Sequence, residues 1–445
     1  MSEPKKVDRR KFIYAGLGAV ALIAIGAAAY VAMNPPVVTK TTTVPTTSVV
    51  TTTVPTTSVI TTTSVVTTTP SEKVTLNVIH CWGGDEFKTF EPVLKEAESR
   101  LGINIKSMVI RTPDLAPMLD SLFPNNETPG DVITTWWPWA IKKWAKEGFL
   151  MDVSDIVSKE PFLQGVPGMA EVEGKTYGVP WTEKPFPIFA YRKSFFEKNG
   201  LTPPKDWNEC VNLFEKLKSV PGVKAPVLCG DSGWPISLYS TFEAAIFTYG
   251  GYDLHHKLIT GESKFTDSSV KTALETYFLP LLKYMGDPVD WVSGVDLWWK
   301  GEYPIFPIGA WIYVMGIDPN DVGFFFYPGQ KSTMTSTDMW FVPKSTKHPN
   351  EAMALLKFLA SRDAQELQVR QGGQWALRTD IPLEAYPDYA KPLAQALMQM
   401  KIDPPLDASI SGAFSEKFER YMPLLKADPT KLDSILVELE KTARG

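Results

Sequence analysis

The chain has 445 residues, with 45 Lys and Arg against 50 Asp and Glu, a formal net charge of -5 and 44% hydrophobic residues. That balance leaves no basic footprint for nucleic acid, and three scattered cysteines (Cys81, Cys210, Cys229) are too few for a disulfide framework or a zinc site. The length exceeds what a single core usually holds, so two lobes are expected, and 14 Trp, 15 Tyr and 23 Phe give them a heavy aromatic load.

The N-terminal region reads as a membrane tether. Lys5, Lys6, Arg9, Arg10 and Lys11 precede an uncharged apolar run over 12–33. That run is long enough to cross about 30 Å of hydrocarbon as a helix. Lys40 is the sole basic residue between it and Lys73, so the charge bias places residues 1–11 in the cytoplasm and everything after Asn34 outside. Arg9-Arg10-Lys11-Phe12-Ile13 also resembles a twin-arginine export signal, and Ala27-Ala28-Ala29 offers small residues to a peptidase; an uncleaved single-pass anchor in the lipid bilayer is the expectation. Residues 34–72 follow as low complexity: Thr41-Thr42-Thr43-Val44-Pro45-Thr46-Thr47-Ser48-Val49-Val50 repeats almost letter for letter at Thr51–Ile60. Such a tract cannot bury a core, and its prolines keep it extended, so it reads as a disordered, hydroxyl-rich stalk open to O-glycosylation.

From Val74 the pattern changes to alternating strand and helix. Val74–Ile79 alternates in polarity and predicts a strand, Asp85–Arg100 has apolar residues at helical spacing, and Ile103–Ile110 and Asp131–Thr135 predict further strands. Such alternation predicts an α/β domain with a mostly parallel sheet, whose ligands bind beyond the carboxyl ends of the strands. Two of those tips stand out: His80-Cys81-Trp82-Gly83-Gly84-Asp85-Glu86 and Trp136-Trp137-Pro138-Trp139. Indole faces against sugar C–H surfaces, with carboxylates accepting from hydroxyls, make a sound saccharide site. Trp298-Trp299, on a helix-like run, read as packing, and His255-His256 as a solvated loop without metal-ligand spacing.

These segments resemble the extracellular solute-binding proteins of ABC sugar importers, the group that includes maltose- and glucose-binding proteins. Gly130-Asp131-Val132 followed by Trp and then Glu147-Gly148-Phe149-Leu150-Met151-Asp152, Gly174-Lys175-Thr176-Tyr177-Gly178-Val179-Pro180, and Tyr191–Pro204 with Asp206-Trp207-Asn208-Glu209 are similar to passages of that family. Gly309-Ala310-Trp311 resembles its Gly-x-Trp, and His348-Pro349-Asn350-Glu351-Ala352 through Ser361 resembles a helix near its end. Arg192 and Asp206 replace the Asn and Thr usual there.

The resemblance implies a two-lobed, hinged, periplasmic-binding-protein-like α/β fold of type II with discontinuous lobes: 73–185 with 338–376, and 186–337 with 377–445. It implies crossings between the lobes near 180–188, 335–340 and 375–379. It also implies no catalysis and no cofactor, a sugar ligand closed upon in the cleft, ABC importer permease subunits as partners, and a monomer. Ligand contacts are expected from Trp82, Asp85, Glu86, Trp136, Trp137, Trp181, Glu183, Trp234, Trp311, Asp338, Trp375 and Arg378. An extracellular glycoside hydrolase, which needs two carboxylates about 5–10 Å apart, and a peptide-binding protein are the alternatives.

Overall fold

Alternation in Val74–Ile79 becomes a strand, β1 (Thr75–His80), that pairs in parallel with β2 (Asn104–Val109) on one side and β3 (Val132–Thr135) on the other. The helix between β1 and β2, Gly84–Leu101, buries Phe90, Val93, Leu94 and Ala97 against them. Asp85 and Glu86 in its first turn and Arg100 in its last complement the helix dipole, and Gly102 at φ 66 ends it in the left-handed region. The computed structural model describes residues 73–163, 165–232 and 234–444. The expected tail, membrane helix and stalk (1–72) lie outside the described residues; among those described, no helix is long and apolar enough to cross a membrane.

A short hairpin, β4 (Glu171–Val172) and β5 (Lys175–Thr176), leads into β6 (Val179–Phe186) and β7 (Ile188–Arg192), which belong to different sheets. The second lobe continues with β8 (Val227–Ser232), β9 (Met285–Asp290), β10 (Ile305–Ile308) and β11 (Val322–Phe325). The chain returns through β12 (Ser332–Phe341) and adds β13 (Trp375–Ala376) and β14 (Lys401–Asp403). The first sheet runs β13-β6-β12-β3-β1-β2 with β14 beside β12, and the second runs β11-β7-β10-β8-β9.

Both sheets are mixed, which corrects the expectation of a mostly parallel one. The strands that carry the chain between lobes, β6 and β12, lie antiparallel to each other, and β12 lies antiparallel to β3. An outgoing and a returning strand laid side by side must run in opposite directions, so a fold that crosses between lobes cannot keep one strand sense.

Apolar residues of the first sheet are covered on both faces. One face packs Trp82, Phe90, Trp181 and Trp340, and the other packs Ile133, Trp144 and Phe341. Phe189, Phe214, Tyr239 and Phe306 anchor the core of the second lobe. Leu377 belongs to the first lobe's core, Arg378 bridges to Phe162, and the Thr379 N–H donates to the Pro161 carbonyl at 2.9 Å. Trp375 and Ala376 pair with β6 in the first sheet yet pack in the second lobe's core, which Ile381 and Ala385 also join. All three cysteines are unpaired, with Cys210 and Cys229 buried.

Candidate ligand-binding cleft

Four strand tips each deliver an indole to the region where β6 and β12 pass between lobes. β10 ends at Ile308, and Trp311 follows on a 3-10 turn at Ala310–Val314. Its ring folds back over Gly309 so closely that a methyl group there would sit 1.8 Å from an indole carbon, which is the physical reason for the Gly-x-Trp spacing. Trp234 follows β8 and stacks on Trp311 with centroids 5.7 Å apart and planes 24° apart. Trp291 begins the helix after β9 and meets Trp234 edge-on at 5.8 Å. Trp136 follows β3 in the first lobe and lies 6.1 Å from Trp234, so the aromatic array spans both lobes.

The floor of this array is apolar, with Phe186 of β6 lying 5.8 Å from Trp311. Trp137, the residue that caps the Pro138–Lys146 helix, packs on Trp136 and on Trp139 and is 8% exposed. Trp136, Trp137, Trp234 and Trp311 therefore lie in one array, and Trp291 joins them. The signal for Trp291 was available: like Trp136, it stands just past a strand.

Trp82, Trp181 and Trp375 are placed otherwise. Trp82 is wholly buried, stacked near His80 and edge-on to Phe90 and Trp340, so no face is left for a ligand. Trp181 is wholly buried in the same cluster, and Trp375 is 1% exposed against Tyr313. Each reads as core, because a fully buried aromatic ring stabilises by roughly 2–3 kcal/mol where it is. Arg378 is also committed elsewhere: its guanidinium binds Glu160, Asp380 at 2.7 Å and the Ala360 carbonyl at 2.6 Å.

The acidic candidates divide. Glu86 and Asp338 converge on Lys184, whose ammonium lies 2.9 Å and 3.2 Å from their carboxylates and 5.3 Å from the Trp82 ring centre. Burial pushes the Asp338 carboxyl up, while the two carboxylates overcome burial to hold Lys184 charged. Lys184, absent from the expected set, ties the two crossing strands β6 and β12 to the start of the Gly84–Leu101 helix. Asp85 is exposed and pairs with Lys88, and its carboxylate faces Gly316 of the second lobe across 3.2 Å of a built methyl position. Glu183 is buried, with its carboxyl pushed up to about 8 by burial and one oxygen without a partner. Away from the cleft, a depression of about 520 Å³ lined by Asn77, Asn126, Asp131 and His348 lies at the opening ends of β1 and β3.

A family model described as bacterial extracellular solute-binding protein matches residues 83–366. The chain is 40% identical over 383 residues to an uncharacterized ABC transporter extracellular-binding protein of Pyrococcus horikoshii, spanning 85% of this chain and 90% of that one. It is 23% identical over 300 residues to the multiple sugar-binding protein of Streptococcus mutans, spanning 62% of this chain and 69% of that one. Among solved structures it resembles the bacterial solute receptor AcbH, with a TM-score of 0.75 and 18% identity over 84% of this chain and 99% of that one; AcbH is described as having an exclusive preference for β-D-galactopyranose.

Proposed function

We propose, on the premise that this chain belongs to the bacterial extracellular solute-binding protein family, that it captures a sugar between its lobes and delivers it to the membrane subunits of an ABC importer. The observation that carries this reading is the indole array of Trp136, Trp234, Trp291 and Trp311, gathered from both lobes. Each ring that stacks on a pyranose adds about 0.5–1.5 kcal/mol beyond its buried area. A ligand that touches Trp136 on one lobe and Trp311 on the other binds the closed form better, and so shifts the population toward it. The flexible part of that closure is assigned to the crossings at β6 and β12. Binding and release need no covalent step, so the protein acts as a receptor and not as an enzyme.

The N-terminal charge pattern supports tethering by residues 12–33, with the binding domain held outside on the 34–72 stalk as a monomer. The test is a thermal-shift panel of the purified chain against mono- and oligosaccharides, with short peptides beside them. A saccharide that raises the melting temperature and is recovered intact supports the reading. Stabilisation by peptides alone, or hydrolysis of the sugar, overturns it.

A further inference from the structure

Glu183 stands where the three crossing segments lie side by side. In β6 it is directly opposite Thr337 of β12 on one side and Trp375 of β13 on the other. Residues so opposed share a face of the sheet, so their side chains come together. Just beyond this point the ladder between β6 and β12 shifts register, and Met339 pairs with Pro180. The cover over Glu183 comes from the second lobe. Trp375 packs in that lobe's core, 6.0 Å from Tyr313, and the Ala376 N–H donates to the Tyr386 hydroxyl at 3.0 Å. Tyr386 lies near enough that charge on Glu183 opposes ionisation of its phenol.

This junction is polar and largely unanswered. Glu183 is 3% exposed with one carboxyl oxygen unpartnered, and the Thr337 hydroxyl and the Trp375 indole N–H are unpartnered as well. Among the described residues no cation offsets the burial. Lys184, the next residue, points to the other face of the strand, where Glu86 and Asp338 hold it, and Arg378 is held by Glu160 and Asp380. Burial outweighs the opposite pull of the Thr335 hydroxyl and pushes the Glu183 carboxyl up to about 8, so it is neutral in this form at pH 7.

We propose that closing the lobes on a sugar takes up one proton from solvent at Glu183, so that capture tightens as pH falls. The inference rests on the saccharide reading above. In the form described, Trp136 of one lobe meets Trp234 of the other and Glu183 is sealed. Rotating the lobes apart has to bend β6 and β12 beside Glu183 and shift Tyr386 away from it. Water then reaches the carboxyl and returns it toward its ordinary value of 4.5. Between 4.5 and about 8 the closed form holds a proton that the open form has lost. A sugar that selects the closed form therefore binds with uptake of that proton. Its affinity falls as pH rises through this window and levels off above about 8. Asp407 and Glu419 are further buried carboxyls raised by burial, and His255 titrates with Glu243 and Asp403 inside the second lobe. Replacing Glu183 alone decides whose proton is taken up.

The test is calorimetric titration of the purified full chain with galactose, maltotriose and chitotriose, which are uncharged over the range used, from about pH 5.5 to 9. Wild type should bind one of them at least about tenfold tighter at pH 6 than at pH 9. Repeating the titration at pH 6.5 in two buffers of different ionisation heat should show about 0.5–1 proton taken up per sugar bound. Glu183→Gln, which keeps the shape of the neutral acid, should lose both the pH dependence and the uptake. Binding without proton uptake in wild type overturns the inference and leaves the receptor reading standing; so does a Glu183→Gln variant that keeps the wild-type dependence. The wild-type uptake decides the matter even where the variant does not fold. If no saccharide binds at any pH, the saccharide reading falls and takes this inference with it.

Discussion

Trp311 owes its pose to the residue two positions before it, because its ring occupies the space a side chain at 309 would need. Gly309→Ala must push the indole out of line with Trp234. Saccharide affinity should fall by roughly tenfold, close to the loss from Trp311→Ala, the worth of a stacked ring and its alignment. A titration in which Gly309→Ala binds as wild type does would contradict this role. Arg378 behaves in the opposite way. Its partners Glu160 and Asp380 are 22% and 34% exposed at the side chain, so solvent softens the loss when the cation goes. Arg378→Ala should cost about 2 kcal/mol in urea unfolding and leave sugar affinity unchanged; a specific loss of affinity would restore Arg378 to the ligand set. At this scale the sequence was legible where a strand tip exposes an indole and silent on which indoles are swallowed. Trp82 and Trp136 both follow strands, but Trp82 is enclosed by Phe90 of the next helix and by Trp340, which a strand far along the chain contributes.

The crossing strands β6 and β12 are joined by more than their ladder, since Lys184 and Asp338 meet across them and Glu86 reaches in from the first helix. Replacing Lys184 by Met leaves Asp338 buried and uncompensated, and breaking a pair so deeply placed costs about 3 kcal/mol. A chemical melt that shows less than about 1 kcal/mol would mean that Asp338 is answered by another donor. A second buried network ties β14 to the Ile236–Thr260 helix: His255 bonds Asp403 at 2.8 Å and Glu243 at 2.7 Å. Burial opposes its charge, but the two carboxylates prevail and raise its pKa from 6.5 to about 9. A raised folded-state pKa gives stability that is complete below pH 6.5 and is lost as pH climbs through about 9. The melting temperature of wild type should therefore exceed that of His255→Gln most at pH 6 and least above pH 9, and a constant gap would refute the pairing. The sequence reading of His255-His256 as a solvated loop missed this, because Glu243 and Asp403 lie on other elements and nothing in the local pattern marks them as partners. The first three strands and the first helix were legible to within a residue or two, since their apolar periodicity is local. Sheet sense was not, since it depends on where distant strands return.

For the whole molecule, the proposed N-terminal tether makes its own prediction. The full chain should sediment with membranes, and deletion of 1–33 should release a domain that binds its sugar with unchanged affinity. Release without the deletion would show that the segment is removed in the mature protein. The two-lobed order was legible because the family resemblance runs through both halves. The cleft was only half legible, because an indole at a strand tip can be read from the sequence while Lys184, inside β6, resembles an ordinary strand residue until Glu86 and Asp338 are brought to it. The measurement that bears most directly on the central claim is a tryptophan-fluorescence titration with saccharides, run on wild type, Trp136→Ala and Trp311→Ala. The account predicts a saturable spectral change in wild type with the sugar recovered intact, and weaker binding when either lobe loses its ring. Undiminished binding in both variants would place the ligand outside the interlobe cleft and contradict the account.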